Sequence, residues 1–338
     1  MDLNTIWFLL VGILIVGYAV LDGFDLGVGS LYYLLGKNEQ EKQVLLHAVG
    51  PFWDGNEVWL LTGGGALFAA FPLVYASVFS GFYLAMMLVL FGLISRAMAV
   101  EFRNKGDGPG WRRRWDFFFF LGSFLPALLF GVAVGNVAKG LPLDQAYNYT
   151  GTFFDLLNPY ALLLGLLGLS GFLLQGTAYA MLKTTGGLQV RAKGMFTKIL
   201  LLYLVLFLIS AVFTYQIAAS LFNNYLNHPV LLVVPLLAFG SAILTRSLIK
   251  LDRYGLVFAG TSLSIASMIL TLAIGMFPNW VPAVNPDFSL TIYNAASSQL
   301  TLKTMLIIAL TGVPLVLFYT IYVYKVFRGK VNTEHSGY

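Results

Sequence analysis

The sequence predicts an all-α integral membrane protein, a bundle of about nine transmembrane helices with its N-terminus outside and its C-terminus cytoplasmic. Three observations predict it. Of 338 residues, 58% are hydrophobic and only 10% are charged. Soluble domains carry about 25% charged residues, and a soluble fold with so little polar surface would expose apolar patches that aggregate. Apolar stretches long enough to span a bilayer recur along the whole chain, and the basic residues collect in alternate loops between them.

A spanning helix needs about 20 apolar residues, because it rises 1.5 Å per residue across roughly 30 Å of hydrocarbon. On that scale the runs fall near 5–35, 57–72, 74–100, 116–138, 159–182, 196–222, 229–249, 254–277 and 303–327. The second run is short. Either its helix begins near Val44 and is kinked at Pro51, or it is a short span with an irregular lead-in. The N-terminus is acidic (Asp2) and the apolar run that follows is too long for a signal-peptide core, so no cleavable leader is expected. The length alone would allow two soluble domains, but the hydropathy gives instead a single polytopic membrane domain over 1–338.

Orientation comes from the loops. One set holds Lys37 and Lys42; Arg103, Lys105, Arg112, Arg113 and Arg114; Lys183, Arg191, Lys193 and Lys198; Arg246, Lys250 and Arg253; Lys325, Arg328 and Lys330. The opposite set holds only Lys139, with Lys303 opening the last run. Cytoplasmic loops collect Lys and Arg. The net charge of +5 is therefore a topology signal, and the Arg112–Arg114 cluster marks the inner leaflet rather than a nucleic-acid site. The loops are short except for outer segments near 139–158 and 278–302, rich in Pro, Asn, Asp and Tyr, and no internal repeat is evident.

Three stretches carry chemistry. In Asp22-Gly23-Phe24-Asp25-Leu26-Gly27-Val28-Gly29, two carboxylates share one helix face well inside an apolar run. Carboxylates at depth are costly unless paired or solvated. Gly23, Gly27 and Gly29 allow another backbone or a cofactor close. The plainer reading ends the helix near Gly23 and leaves the carboxylates at the interface. In Gly50-Pro51-Phe52-Trp53-Asp54-Gly55-Asn56-Glu57-Val58-Trp59, Asp54 and Glu57 fit a capping box. They also fit a proton-accepting pair near the surface, with Trp53 and Trp59 as interfacial anchors. Gly63-Gly64-Gly65 reads as a close helix-packing site. Arg96, with Glu101 five residues on, either snorkels to the interface or pairs with Asp22, Asp25 or a partner's cofactor propionate.

The absent residues narrow the function. No cysteine exists, which excludes disulfides and thiolate-bound metals. The three histidines, His47, His228 and His335, all lie outside the deep part of any run. Most of the nine methionines read as packing residues. Haem iron is usually held by His or Met, so this chain is poorly equipped to hold several haems. No phosphate loop, metal cluster or nucleophile triad appears, so no catalytic residue and no metal ligand is assigned.

The segments GFDLGVG (23–29), GPFWDGNEVWLLTGGGALFAAFP (50–72), FSGFYLAMMLVL (79–90), GSFLPALLFGVAVGN (122–136) and SSQLTL (297–302) resemble subunit II of the cytochrome bd-type quinol oxidases. The resemblance runs from the first span to the last. It implies a bacterial or archaeal cytoplasmic-membrane enzyme of the respiratory chain that oxidises a membrane quinol and reduces O2 to water. Such an enzyme builds the proton-motive force without pumping. It further implies a heterodimer in which subunit I binds the quinol, two b-type haems and haem d, with small single-span subunits as additional candidate partners. Subunit II ligates no haem, supports subunit I and is structurally related to it. Asp25 and Asp54 match family positions discussed as proton supply. The link between the runs at 196–222 and 229–249 is shorter than in some relatives, which leaves open whether a quinone or lipid is bound here. Beside this reading stand two others: an ion-coupled secondary transporter using Asp22, Asp25 and Asp54, and a purely structural partner whose carboxylates are caps. The proton-transfer candidates are thus Asp22, Asp25, Asp54 and Glu57, and Arg96 is the charge-pairing candidate.

Overall fold

The computed structural model describes residues 2–106 and 108–331; His335 lies outside them. Among these residues the chain forms thirteen α-helices. They are α1 (Leu3–Ser30), α2 (Tyr32–Leu35), α3 (Glu39–Val49), α4 (Trp53–Ala70), α5 (Pro72–Gly81), α6 (Tyr83–Phe102), α7 (Pro109–Lys139), α8 (Pro159–Lys183), α9 (Gly186–Ile217), α10 (Asn223–Asn227), α11 (Val233–Lys250), α12 (Tyr254–Met276) and α13 (Gln299–Val326). Eight helices are long and apolar enough to cross a membrane, and a ninth span follows if the pair α4–α5, bent by 120°, is one span.

Their boundaries follow local chemistry. Asp2, Asn38, Asn158 and Ser298 accept a backbone N–H three residues on and so cap α1, α3, α8 and α13. Proline opens α5, α7 and α8, where its missing N–H is not needed.

One alternative is settled here and one expectation changes. The second run is the short span with an irregular lead-in, and its helix neither extends back to Val44 nor bends at Pro51. The amphipathic α3 ends at Val49, the chain turns through Gly50–Phe52, and α4 starts afresh at Trp53. The third run is divided. Residues 72–81 form α5, and the span proper is α6. Continuous hydropathy concealed that break, because Gly81 and Phe82 are as apolar as the residues on either side.

Helices α1 and α8 form the centre. Of the most apolar window of α8, 72% is buried, against none of that of α13. α1 and α8 approach almost backbone to backbone at Gly27 and Gly176. A Cβ on Gly27 would lie 1.9 Å from the Phe172 carbonyl oxygen, and one on Gly176 would lie 2.4 Å from the Gly27 carbonyl carbon. Gly23 faces the Phe172 ring and Gly29 faces Ser123. The glycines of α1 therefore do permit close approach.

Those of α4 do not. Gly63 comes no nearer than van der Waals distance to Leu14, and Gly64 and Gly65 face nothing within 4 Å. Among the described residues only Gly63, buried beside α1, is packed, and no close approach occurs at Gly64 or Gly65.

The two ends of the bundle differ chemically. At one end the basic loops meet. Arg103 bonds Asp116 and Glu39, Arg191 bonds the Leu35 carbonyl and pairs with Glu41, Lys193 pairs with Asp252, and Lys330 bonds the Thr184 carbonyl. The other end is a loop cap with few basic residues, carrying Asp144, Asp155 and Asp287 beside Lys139. Strand β1 (Asn279–Val281) pairs antiparallel with β2 (Leu290–Thr291), with Val281 opposite Leu290. Leu141 bridges to Ala283, and Ser297 bonds the Ala69 and Ala70 carbonyls at the end of α4.

Candidate functional site

The sequence-predicted carboxylates converge near the basic end. Helix α1 does not stop at Gly23. It continues to Ser30, so Asp22 and Asp25 are buried inside the bundle. Asp22 Oδ1 lies 2.8 Å from Nη2 of Arg96, and the same nitrogen donates to Oε1 of Glu57. Arg96 is buried on α6 and does not snorkel; its guanidinium points inward between α1 and α4. A guanidinium can stay there because two carboxylates offset its desolvation.

Asp25 belongs to the same cluster through a different partner. Asn56 Nδ2 donates to Asp25 Oδ2 at 2.7 Å and to the Leu21 carbonyl at 3.0 Å, while Asn56 Oδ1 accepts the Tyr324 hydroxyl at 3.0 Å. One buried amide thus joins α1, α4 and α13. Asp22 Oδ2, Asp25 Oδ1, the Tyr18 hydroxyl, Nε and Nη1 of Arg96 and Gln175 Oε1 are buried without a hydrogen-bond partner among the described residues. Buried polar atoms of this kind are served by ordered water.

The capping box is overturned. The N-cap of α4 is Phe52, with no side-chain bond, and Asp54 falls in the first turn. Glu57 reaches Arg96 rather than back to the helix start. Asp54 is exposed one turn from Glu57, where its charge complements the α4 dipole. Trp59 is no interfacial anchor, because its ring packs against Gly17 within the first span.

A second ionic network braces this end. Asp116 accepts from Arg103 Nε at 2.6 Å, Lys42 Nζ at 2.7 Å and the Tyr32 hydroxyl at 2.8 Å, and Arg103 Nη2 reaches Glu39 at 2.7 Å. It clamps α3 onto α6 and α7. The bonded Arg191 guanidinium holds the Glu41 carboxyl below the usual carboxylate range, which ties α3 to α9 as well.

Sequence reasoning missed Asn56, Tyr324, Tyr18 and Gln175. Asn56 sits in the polar Gly55-Asn56-Glu57 string, and nothing in the local sequence marks the two tyrosines or Gln175. The only signal for Asn56 was an amide two residues from Asp54 in an otherwise apolar span.

The described histidines are poorly placed to hold a haem within the bundle. Among the described residues His47 is half-buried on the surface helix α3, and His228 is exposed at the loop-capped end. Neither of these two histidines stands inside a spanning helix.

Residues 3–327 match the family model described as cytochrome bd terminal oxidase subunit II. The chain is 39% identical to cytochrome bd-I ubiquinol oxidase subunit 2 of Escherichia coli K12, over 98% of this chain and 96% of that one. It is 36% identical to cytochrome bd ubiquinol oxidase subunit 2 of Bacillus subtilis 168, over 98% and 97%. A chain of the bd oxidase structure from Geobacillus thermodenitrificans shares the fold, with a TM-score of 0.80 at 16% identity, covering 97% of this chain and 99% of that one.

Proposed function

The chain belongs to the cytochrome bd terminal oxidase subunit II family, and from that membership we propose that it supports a haem-bearing subunit I and feeds that subunit protons. Membership makes it a subunit of a membrane oxidoreductase complex. The transporter reading loses its support, because the relatives matched over nearly the whole chain are oxidase subunits. The proposed location is the bacterial plasma membrane, with the basic end in the cytoplasm. The proposed substrate of the complex is a membrane quinol.

The observation that carries the proton role is the cluster of Asp22, Asp25 and Glu57 around one guanidinium, Arg96. One cation does not balance three carboxylates in a low-dielectric bundle. Such a cluster gains by holding a proton and can pass it on. Asp54 is the exposed uptake point, Glu57 lies one turn further in, and Asp22 and Asp25 lie behind it. Asn56 fixes one oxygen of Asp25 and leaves the other free to exchange. These groups bind and move protons; the oxidation and reduction chemistry belongs to the partner.

The test is turnover of the assembled complex. Asp25→Asn and Asp54→Asn remove the titrating groups while keeping size. Both should lower quinol oxidase turnover by about tenfold or more, in the range of a lost proton-transfer group, with assembly and the haem spectrum unchanged. Wild-type turnover in the assembled double variant would leave these carboxylates as structural groups.

A further inference from the structure

At the basic end, away from the carboxylate cluster, a groove of about 690 Å³ lies between Tyr33 and the first turns of α7. Arg113 and Arg114 form its rim, and Phe117, Phe118 and Phe120 its floor. We propose that this groove binds an anionic phospholipid, with the two guanidinium groups on the phosphate and the phenylalanines against the acyl chains.

The layering supports a lipid. Arg113, Phe117 and Phe120 follow one another at helical spacing on a single face of α7. Phe120 stands about 10 Å along the axis from Arg113 by the 1.5 Å rise per residue. Charge at the surface and apolar rings one to two turns deeper reproduce the order of headgroup and hydrocarbon in a leaflet. A free phosphate would use the rim and have no need of the floor. The Tyr33 ring closes one side, with its centroid 5.7 Å from that of Phe120.

The charge is available. Arg103 is consumed by Asp116 and Glu39, and Arg112 lies 3.6 Å from Glu39. Arg113 and Arg114 are exposed and enter no ion pair among the described residues. The Arg114 side chain is steadied by a 3.3 Å bond from Nε to the Gly110 carbonyl and lies over the Trp111 ring. Guanidinium groups suit phosphate because their planar donors bind two oxygens at once. Anionic lipid attracts juxtamembrane basic residues.

The experiment uses the assembled oxidase complex in detergent. Phosphatidylglycerol and phosphatidylcholine are added in turn, and native mass spectrometry counts the bound lipid. The wild-type complex should retain phosphatidylglycerol in preference. The Arg113→Gln/Arg114→Gln variant should bind it more weakly by on the order of tenfold or more, and Arg113→Lys/Arg114→Lys should keep most of the binding. If the double Gln variant fails to assemble, Phe117→Ala carries the test, because it should lower lipid retention with both arginines in place. Equal retention in wild type and variants would overturn the proposal. So would displacement by millimolar inorganic phosphate with no effect of Phe117→Ala, which would mark a soluble-anion site. So would loss of the haem-bearing subunit from the double Gln variant at unchanged lipid retention, which would mark a subunit contact. Lipid is added without regard to side and turnover is not read, so failure here leaves the orientation and the proton role standing.

Discussion

Arg96 shows how a single residue holds the site together. Its guanidinium is buried between Asp22 and Glu57, so removing it strands carboxylates in the bundle. Arg96→Leu should cost about 3–5 kcal/mol, the usual penalty for breaking a buried pair by deleting one partner. The expected result is little chain in the membrane fraction and little assembled, haem-loaded complex. Arg96→Gln combined with Asp22→Asn should recover part of the loss, since neutralising both sides removes the stranded charge; strict additivity of the two substitutions would show that they do not interact. Asp22, Asp25, Glu57 and Arg96 were legible in the sequence because each is a charge inside an apolar run. Their pairing was legible only in part: the sequence offers Asp22 as a partner of Arg96 beside the snorkelling alternative, but does not single out Glu57 as its second partner. Three helices separated by long stretches of sequence supply the pairing, and the competing snorkelling geometry of Arg96 has the same local sequence. Asn56 was invisible for a related reason. A neutral amide near a helix start looks like a capping residue until its partners on α1 and α13 are in view.

Among the elements, hydropathy located nearly every span, because the bilayer sets both length and composition. It failed where the chain turns without becoming polar. Gly81–Phe82 is as apolar as its neighbours, yet it separates α5 from α6, whereas the break at Phe71–Pro72 fell between the second and third runs. The glycines of α1 and α4 make the same point from the other side. Both sets read as packing glycines, but only the position of α8 decides that Gly27 is one and Gly64 is not. Gly27→Ala places a methyl group against the Phe172 carbonyl at 1.9 Å, where backbone must shift. Overpacking of this kind costs about 1–3 kcal/mol, so the complex should lose its haem spectrum at a lower temperature on heating. Gly12→Ala, with nothing within 4 Å of its Cβ, is the matched control on the same helix. Equal melting of the two variants would show that the α1–α8 crossing is looser than the geometry indicates.

For the whole molecule, the unpartnered face bears on how the complex assembles. None of the apolar window of α13 is buried, and α4 turns Gly64 and Gly65 toward open space. Helix association in lipid depends on close packing over small residues, because the surrounding hydrocarbon is as apolar as the helices themselves. A chain that belongs to a subunit family and leaves two adjacent glycines uncovered on a loosely held edge is built to pack against something else there. The expected docking surface for the proposed partner subunit I is therefore the edge formed by α4 and α13. The same edge carries the exposed Asp54 and, one turn on, the partly exposed Glu57, so docking there would bring the carboxylate cluster up to the partner. Gly64→Leu and Gly65→Leu test the placement. A Cβ at either position meets no described atom within 4 Å, and Gly65 borders a groove lined by Met305, Ile308 and Ala309 of α13, so accumulation of the chain alone is measured beside retention of the partner. The ability of the chain to retain subunit I in detergent should fall, measured as haem absorbance copurifying with a tag on this chain. Overpacking at a helix crossing costs about 1–3 kcal/mol, or roughly five- to a hundredfold in the binding constant. Gly240→Leu on α11 also meets nothing within 4 Å and serves as the control. Undiminished haem recovery from both α4 variants, or an equal loss from the α11 variant, would move the docking surface elsewhere on the bundle.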